Sequence, residues 1–485
     1  HRKESFVLNT LMRKYNDLSI VAKASLWFIF CSILQRGISL ITTPIFTRLM
    51  STEQYGQYSI YNSWLQIFTI FTTLRLNGAV FNKGMSKYKN KRDAYTSTMQ
   101  TVTSLLTAVA FIIYLLFHDF FNNLTELPTF IMVAMFAELL VMPAIDFWTV
   151  RKRYEYIYKP VVARTLIMAV LNAFIGVIAV LLSDEKGYAR IVSGVIVNIC
   201  FGIVIYTYNL KKGKEILNKE YAFFALKFNF PLIAHYISQY ILDQSDRIMV
   251  QKLVSVATAG IYSVAYNIGL LLRIVTTSIN NALVPWQYEQ LEKKAFKKLD
   301  NAMFSTFLIV AVCSFALSCM APEIMKLLAD EKYYEGTYVI PPVAMGLFFS
   351  FMYTMYANIE FYYSKNKFSM YISSAGALLN IVLNYFGIKI FGYIAAAYTT
   401  LVCYVIFAIG HYIYTVRCVS VEEDIKTVFN TKRVLGLSVL LIVLEILFIF
   451  IYEHMIIRYI ILAAIVLFAI INSKKMKSLF YEIKK

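Results

Sequence analysis

The sequence predicts an all-α polytopic membrane protein with fourteen transmembrane helices, and three observations lead to this prediction. The 485 residues are 59% hydrophobic and only 16% charged, whereas soluble globular proteins carry about 25% charged residues. Apolar runs of roughly 20 residues, long enough to cross a bilayer as helices, recur along the chain. The formal net charge of +18 is distributed over short clusters between these runs. This distribution indicates membrane loops rather than a nucleic-acid-binding surface.

The connections between the predicted segments are short, so no inserted soluble domain is expected. In chain order the segments span residues 20–46, 55–76, 95–117, 124–148, 160–182, 189–210, 222–250, 258–284, 302–329, 337–362, 367–388, 392–415, 432–452 and 455–472. Lys and Arg cluster in both tails and in the loops that follow even-numbered segments. The opposite loops contain Arg48, Lys186, Lys252, Lys332 and Lys389. By the positive-inside rule both termini are cytoplasmic, which requires an even number of helices.

A short stretch of sequence occurs twice and predicts an internal duplication. Leu49, Ser51, Gly56, Tyr58 and Ser59 recur as Leu253, Ser255, Gly260, Tyr262 and Ser263, at an offset of 204 residues. This offset spans six predicted helices, so both copies enter the membrane in the same direction. We expect an N-lobe over 20–215 and a C-lobe over 216–416, related by a pseudo-two-fold axis along the membrane normal. A cytoplasmic tail (1–19) precedes the lobes, and helices 13 and 14 with a basic cytoplasmic tail (417–485) follow them.

Ionisable residues inside the predicted helices mark a candidate site, because a charge at the bilayer centre costs about 2.5–3.5 kcal/mol and needs a partner or water. Arg36 and Arg273 lie several helical turns from either membrane surface, in opposite lobes. We interpret them as lining a water-filled cavity between the lobes. A buried structural pair with Glu138 or Asp243 is the alternative. A cavity lined by cations favours an anionic cargo.

Further candidates come from the same helices. Arg164 and Lys227 lie about one turn from the cytoplasmic face, where they either bind the headgroup of a cargo or reach towards lipid headgroups. Asp246 and Arg247 are interpreted as a local ion pair near the outer end of their helix. The candidate sites for a coupling proton or Na⁺ are Glu138, Asp243 and Glu445. The aromatic candidates for contact with sugar rings are Tyr236, Tyr240 and Tyr266.

Three runs of sequence resemble a known family of membrane transporters. They are PIFTRLMSTEQYGQYSIYNS (44–63), DQSDRIMVQKLVSVATAGIYSVAYNIG (243–269) and ALLNIVLNYFGIKIFGYIAAAYTT (377–400). In this order, the runs resemble the polysaccharide (O-antigen, Wzx-type) flippases of the MOP exporter superfamily. The resemblance implies a MATE/MOP-like fold and movement of a polyprenyl-diphosphate-linked oligosaccharide across the bacterial inner membrane, from the cytoplasmic to the outer leaflet. It also implies a cationic lumen, for which the fitting positions are Arg36, Arg164, Lys227 and Arg273.

The expected mechanism is alternating access, in which one lobe rocks against the other. No Walker-type G-x-x-x-x-G-K-[ST] run occurs, so the expected energy source is a coupling H⁺ or Na⁺ rather than ATP hydrolysed by this chain. The six cysteines form no C-x-x-C pair, and we expect no metal site, no other cofactor and no catalytic residue. The expected partners are the lipid-linked oligosaccharide, membrane lipids and the polysaccharide polymerase or chain-length machinery, but not nucleic acid.

Three other functions remain open. A MATE-type ion-coupled multidrug antiporter shares the fold, but its cationic cargo favours a lumen led by carboxylates rather than by Arg36 and Arg273. A membrane glycan-assembly enzyme needs catalytic groups in a sizeable surface loop, and the outer loops here are short. A protein that only supports a glycan-assembly complex structurally, without transport, would need no cations near the middle of the membrane.

Overall fold

A computed structural model of the chain describes residues 19–365, 367–423 and 429–471. All regular elements in these ranges are helices, which confirms the predicted all-α fold. The predicted tail at 1–18, the basic tail from 472 onwards and the side chain of Arg36 lie outside the described residues.

The chain divides into two compact units, His1–Tyr236 (unit 1) and Ile237–Lys485 (unit 2). The helices of unit 1 are α1 Ile20–Leu49, α2 Thr52–Thr73, α3 Ala79–Lys87, α4 Arg92–Leu116, α5 His118–Thr125, α6 Thr129–Tyr154, α7 Tyr158–Leu181, α8 Lys186–Gly213 and α9 Lys219–Asn229. Helix α10, Ile233–Leu253, contains the boundary. The helices of unit 2 are α11 Val256–Gly269, α12 Leu272–Glu292, α13 Phe296–Cys319, α14 Ala321–Leu328, α15 Ile340–Tyr362, α16 Lys367–Phe391, α17 Ala395–Glu423, α18 Thr431–Ile451 and α19 Met455–Ile471. Short 3-10 helices lie at Lys89–Lys91, Phe230–Leu232 and Glu331–Val339.

Each of the fourteen predicted segments corresponds to one helix or to two successive helices. Within the described ranges, nine helices are long and apolar enough to cross a membrane, or ten if α11 and α12 together form one span. The multi-pass membrane architecture therefore agrees with the sequence. The total of fourteen spans, the lobe boundaries and the position of the termini stay predictions.

Three segments that we expected to be continuous helices are interrupted. The seventh segment changes to a 3-10 turn at Phe230–Leu232, where Pro231 lacks the N–H that an α-helical hydrogen bond requires. The eighth bends by 41° between α11 and α12, and the ninth is divided at Met320. These expectations were wrong. The hydropathy of each segment stays high because apolar residues lie on both sides of the break, so hydropathy alone does not show where a helix is interrupted.

The end of α11 lies very close to α15 at a glycine. A Cβ atom added to Gly269, the last residue of α11, would lie 2.6 Å from Val343 Cγ1 on α15. That distance is far shorter than a van der Waals contact, so only glycine allows the close approach of α11 to α15 seen here.

The duplicated stretch has the same local structure in both copies. Ser51 precedes α2, and its Oγ accepts a hydrogen bond from the Gln54 backbone N–H over 3.1 Å. Ser255 precedes α11, and its Oγ accepts a hydrogen bond from the Thr258 backbone N–H, also over 3.1 Å. Each serine is therefore an N-cap that satisfies a free donor at the start of the second helix of its repeat. This match supports the predicted duplication.

Each unit has a helix that packs against several others. In unit 1, α8 packs against α6, α7 and α4, and α1 packs against α7. In unit 2, α15 is buried along almost its whole length and packs mainly against α17, α13 and α12. Large apolar side chains such as Leu116 and Phe174 are exposed on the outer helices, as expected where lipid takes the place of water.

Candidate functional site

Arg273 and Asp243 form an ion pair in unit 2. Asp243 lies on α10 and Arg273 near the start of α12, and Arg273 Nη2 donates a hydrogen bond to Asp243 Oδ1 over 3.1 Å. The side chains are 33% and 37% exposed, so neither is fully buried. The sequence left a buried structural pair and a cation in a water-filled cavity as alternatives; the structure shows the pair with Asp243, and the water-filled cavity stays a prediction. Such a guanidinium can exchange its carboxylate for another oxyanion of suitable geometry.

Tyr266 lies beside this pair. It is buried on α11, and the Arg247 guanidinium is 4.6 Å from the centroid of its ring. It also interacts electrostatically with Asp243 and Arg273. The structure therefore brings three of the predicted site residues together, although the ring of Tyr266 is covered rather than open to a sugar. Tyr240, on α10, is half-buried.

Asp246, one turn beyond Asp243 on α10, is the centre of a buried polar cluster. Its carboxylate accepts hydrogen bonds from Tyr262 Oη over 2.9 Å, Asn384 Nδ2 over 2.7 Å and Thr400 Oγ1 over 2.8 Å. We call these four residues the Asp246 cluster. Carboxylate, amide and hydroxyl oxygens are the ligand types that hard cations prefer. In the described ranges, no group of three or more His, Cys, Asp and Glu side chains is arranged to hold a metal ion.

The expectation of a local ion pair between Asp246 and Arg247 was wrong. Arg247 Nη1 donates to Gln244 Oε1 over 2.9 Å, and Arg247 Nη2 donates to Asn267 Oδ1 over 3.1 Å. Neighbours in sequence on a helix point about 100° apart, so the two side chains reach different partners.

Glu138 is a buried carboxylate of unit 1. It lies on α6 and accepts hydrogen bonds from Tyr61 Oη on α2 over 2.6 Å and from Asn198 Nδ2 on α8 over 2.7 Å. Both carboxylate oxygens of Glu138 therefore accept a hydrogen bond, and these two bonds connect α6 to α2 and α8. Among the described contacts of Glu138 there is no cation.

Glu445 has a less complete set of partners. It is buried on α18, and its Oε1 accepts a hydrogen bond from Ser318 Oγ on α13 over 2.8 Å. Its Oε2 is buried and has no hydrogen-bond partner among the described residues. Since an ionised oxygen without a donor is costly in a membrane, this carboxyl group is suited to holding a proton.

Arg164 lines an open cavity at the surface of unit 1. The cavity has a volume of about 720 Å³ and lies between α6, α7 and α8. Arg164 Nη2 donates to Thr149 Oγ1 over 2.6 Å, and its guanidinium is 5.8 Å from the Trp148 ring. Lys152 is the second cation of the lining, and the remaining lining residues are mostly apolar. The arrangement suits an anionic group attached to an apolar chain.

Two further candidates lie apart from this cavity lining. Lys227 is exposed on α9, with its Nζ 5.7 Å from the Phe223 ring. The Arg75 guanidinium lies 5.9 Å from the Tyr236 ring. Within unit 1, the cavity lining that contains Arg164 includes neither Lys227 nor Tyr236.

Comparisons with known proteins identify relatives of this chain. Residues 21–290, more than half of the chain, match the family described as polysaccharide biosynthesis protein, and residues 231–386 match MatE. The Lsg locus putative protein 1 of Haemophilus influenzae is 22% identical over 380 residues, covering 75% of this chain and 89% of that protein. An uncharacterized membrane protein of the same organism is 24% identical over 364 residues, covering 72% of this chain and 86% of that protein.

Two solved structures define the fold. The lipid II flippase MurJ in an inward closed conformation has a TM-score of 0.65 at 15% identity, covering 93% of this chain and 99% of that chain. An inward-facing multidrug resistance MATE family transporter of the MOP superfamily has a TM-score of 0.61 at 12% identity, covering 81% of this chain and 96% of that chain. The protein therefore has the fold of MOP-superfamily transporters, and it belongs to the polysaccharide biosynthesis protein family.

Proposed function

We propose that the protein is a flippase that moves a polyprenyl-diphosphate-linked oligosaccharide from the cytoplasmic to the outer leaflet of the bacterial inner membrane by alternating access. The observation that carries this proposal is the match of residues 21–290 to the polysaccharide biosynthesis family. The shared fold with a lipid II flippase supports a lipid-borne cargo. The proposal includes cytoplasmic termini and cooperation with the polysaccharide polymerase or chain-length machinery.

In this proposal Arg273 is the cation that receives the diphosphate. It is held in position by Asp243 and remains accessible to solvent, so an incoming diphosphate competes with the carboxylate for the guanidinium N–H groups. Arg36, Arg164 and Lys227 are proposed as further contacts for anionic groups. Tyr236, Tyr240 and Tyr266 are proposed as contacts for the glycan. These assignments rest on the sequence prediction.

The same exchange provides a way to couple cargo to an ion. When the diphosphate displaces Asp243 from Arg273, a carboxylate becomes free to bind H⁺ or Na⁺. Binding of cargo and binding of the cation then favour each other, as linkage requires. Glu138 and Glu445 are further proposed carboxylates for the coupling ion.

The test uses a strain in which the gene is deleted. We expect a lipid-linked oligosaccharide to accumulate in the cytoplasmic leaflet and surface glycan to disappear. The wild-type gene should restore surface glycan, whereas Arg273→Ala should not, at equal amounts of protein in the membrane. The matched control is Lys293→Ala, because Lys293 is an exposed cation paired with Glu289 after the end of α12. This control should behave as wild type.

Two outcomes would contradict the proposal. If no lipid-linked glycan accumulates in the deletion strain, the protein does not flip such a cargo. If Arg273→Ala restores surface glycan fully, Arg273 does not bind the diphosphate. The accumulated lipid also identifies the sugar repeat unit by mass spectrometry.

A MATE-type antiporter is the second candidate, favoured by the MatE match over residues 231–386. Its cationic cargo would use the carboxylates of Asp243 and Asp246. The same strains discriminate the two functions. Antiport predicts that deletion increases sensitivity to cationic drugs and retention of a cationic dye, and flipping predicts no change in either.

A further inference from the structure

Unit 2 contains a buried acid–base pair that belongs neither to the Arg273–Asp243 pair nor to the Asp246 cluster. Glu360 lies near the end of α15 and His411 lies within α17, with side chains 0% and 2% exposed. His411 Nδ1 is 2.9 Å from Glu360 Oε1. Both helices are long and apolar enough to cross a membrane. Ionisable side chains in such helices are rare and often belong to ion pathways or proton relays.

The neighbours of this pair fix its geometry and exclude water. Thr415, one turn after His411, donates a hydrogen bond to the same Glu360 Oε1 over 3.1 Å. The Tyr353 ring is stacked on the imidazole with centroids 5.4 Å apart, and the Phe368 ring meets it edge-on at 5.4 Å. Glu360 Oε2 is buried and has no hydrogen-bond partner among the described residues. The second oxygen of the carboxyl group is thus available for a proton.

Three acidic groups on the surrounding helices have partners of their own, and Arg417 on α17 is exposed. At the end of α17, Glu422 pairs with Lys365 at 2.9 Å, and Glu423 pairs with Lys294 at 2.7 Å. On α13, Asp300 accepts a hydrogen bond from the Asn430 backbone N–H. The neutral titratable neighbours of the pair are Tyr353 and Tyr356 on α15 and Cys418 on α17, and α16 contributes Phe368. Within the part of the chain that is described, His411 is therefore the group that balances the charge of Glu360.

We propose that Glu360 and His411 form a proton-binding site whose occupancy is coupled to the packing of α15 against α17. With one transferable proton the pair is neutral overall, whether the proton is on the imidazole or on the carboxyl group. When that proton leaves to water, a carboxylate remains beside a neutral imidazole, and a dry environment strongly disfavours such a single charge. Loss of the proton therefore favours separation of α15 from α17 and entry of water, and its return favours the packed state.

Aromatic side chains lie between the Glu360–His411 pair and the Arg273–Asp243 pair. Tyr353 contacts His411 on one side and stacks with Tyr404 at 6.3 Å. Tyr404 and Tyr266 line the same small pocket. A shift of Tyr353 caused by deprotonation would therefore move the ring that lies next to Tyr266. A role in coupling rests on the proposed transport function, whereas proton binding rests on the geometry of the pair alone.

Proton binding can be tested without any cargo. The full chain is purified into nanodiscs with ¹⁵N-labelled histidine, and the ring signals are followed from about pH 5 to about pH 9. The signal of His411 is assigned by its loss in His411→Gln. We expect it to report a protonation change that Glu360→Gln shifts or abolishes. A signal that stays unchanged over the whole range, in the wild type and in Glu360→Gln, would overturn the proposal.

The chain provides a matched control, because His118 and Asp119 form a second imidazole–carboxylate pair at 3.2 Å that is largely exposed. His118→Gln should leave the His411 signal unchanged. Thr415→Val serves as a second variant in case Glu360→Gln does not fold. It removes one hydrogen bond to Glu360 with little change in side-chain volume, and it should shift the titration of His411. An unshifted titration would contradict the proposed site.

Coupling is tested in the deletion strain. We expect Glu360→Gln and His411→Gln to reduce surface glycan at least tenfold at equal protein levels, whereas His118→Gln supports wild-type levels. Wild-type glycan in both variants would overturn the coupling role. If even the wild-type gene supports no glycan export, the proposed function fails, while the histidine titration still decides the proton site.

Discussion

Arg273 donates a hydrogen bond to Asp243 across 3.1 Å, and both side chains remain partly exposed. This contact was one of the pairings that the sequence left open, and it joins a predicted cargo-binding cation to a candidate carboxylate for the coupling ion. When Asp243 releases the Arg273 guanidinium, the guanidinium can bind an oxyanion and the carboxylate can bind a cation. Binding of an anion at Arg273 and of a cation at Asp243 is therefore linked.

The Arg273–Asp243 pair should show strong coupling in a double-mutant cycle. Arg273→Gln leaves the Asp243 carboxylate without its counter-ion, and we expect the free energy of unfolding to fall by about 1–3 kcal/mol, between the values for exposed and buried pairs. Adding Asp243→Asn to Arg273→Gln should recover most of this loss. Denaturation in detergent measures all variants. Additive effects of the single changes would show that the pair contributes no coupling energy.

Glu138 should respond very differently to two substitutions. Glu138→Ala leaves Tyr61 Oη and Asn198 Nδ2 as buried donors without an acceptor, at about 1–3 kcal/mol each. Glu138→Gln keeps an acceptor for Asn198, and the Tyr61 hydroxyl can turn to accept from the new amide. We therefore expect a marked loss of thermal stability for Ala and a small loss for Gln. Equal losses would show that the carboxylate charge itself stabilises unit 1.

The helices could be predicted from sequence because a membrane span must satisfy all its backbone groups internally, and long apolar runs leave the helix as the available structure. Hydropathy does not show their interruptions. Pro231 and Pro322 mark two of them in the sequence, because proline lacks the N–H of a helical hydrogen bond, whereas the close approach of α11 to α15 at Gly269 appears only in the packing.

The partners of the buried polar residues were also beyond prediction. Asp246 and Asn384 are 138 residues apart, and their contact depends on how α10 and α16 are rotated about their axes. Glu360 lies two residues before the end of its predicted segment, where a carboxylate is expected to reach water. Its burial against His411 results from the packing of α15 on α17.

The two copies of the duplicated stretch should be equally sensitive to loss of their caps. Ser51→Ala and Ser255→Ala each remove the acceptor for a backbone N–H at the start of a helix. We expect each change to lower the free energy of unfolding by about 0.5–2 kcal/mol. The control is Ser278→Ala, since Ser278 is exposed in the interior of α12 and bonds the Ile274 carbonyl. Thermal unfolding that is unaffected in either cap variant would contradict the shared role.

Gly269 should not tolerate a side chain. Because an added Cβ would lie 2.6 Å from Val343 Cγ1, we expect Gly269→Ala to cost about 1–3 kcal/mol through overpacking. Val343→Ala should relieve part of this cost in the double variant. Gly436 is the matched control, since a Cβ there meets nothing within 4 Å. Gly436→Ala should stabilise the protein slightly through helix propensity. A neutral Gly269→Ala in thermal unfolding would show that α11 can move away from α15.

Arg164 should retain an anionic phospholipid in the cavity of about 720 Å³ between α6, α7 and α8. Arg164 and Lys152 supply two cations for a phosphate, and the exposed side chains of Cys200 and Val204 supply an apolar wall for acyl chains. Because a hydrogen bond to a charged group contributes about 1.5–3 kcal/mol, Arg164→Gln should reduce retention of phosphatidylglycerol at least about tenfold. Native mass spectrometry of protein released from nanodiscs measures the bound lipid, and Lys211→Gln, at an exposed lysine outside the cavity lining, is the control. Equal retention of phosphatidylglycerol by the wild type and by Arg164→Gln would mean that Arg164 does not bind the lipid phosphate.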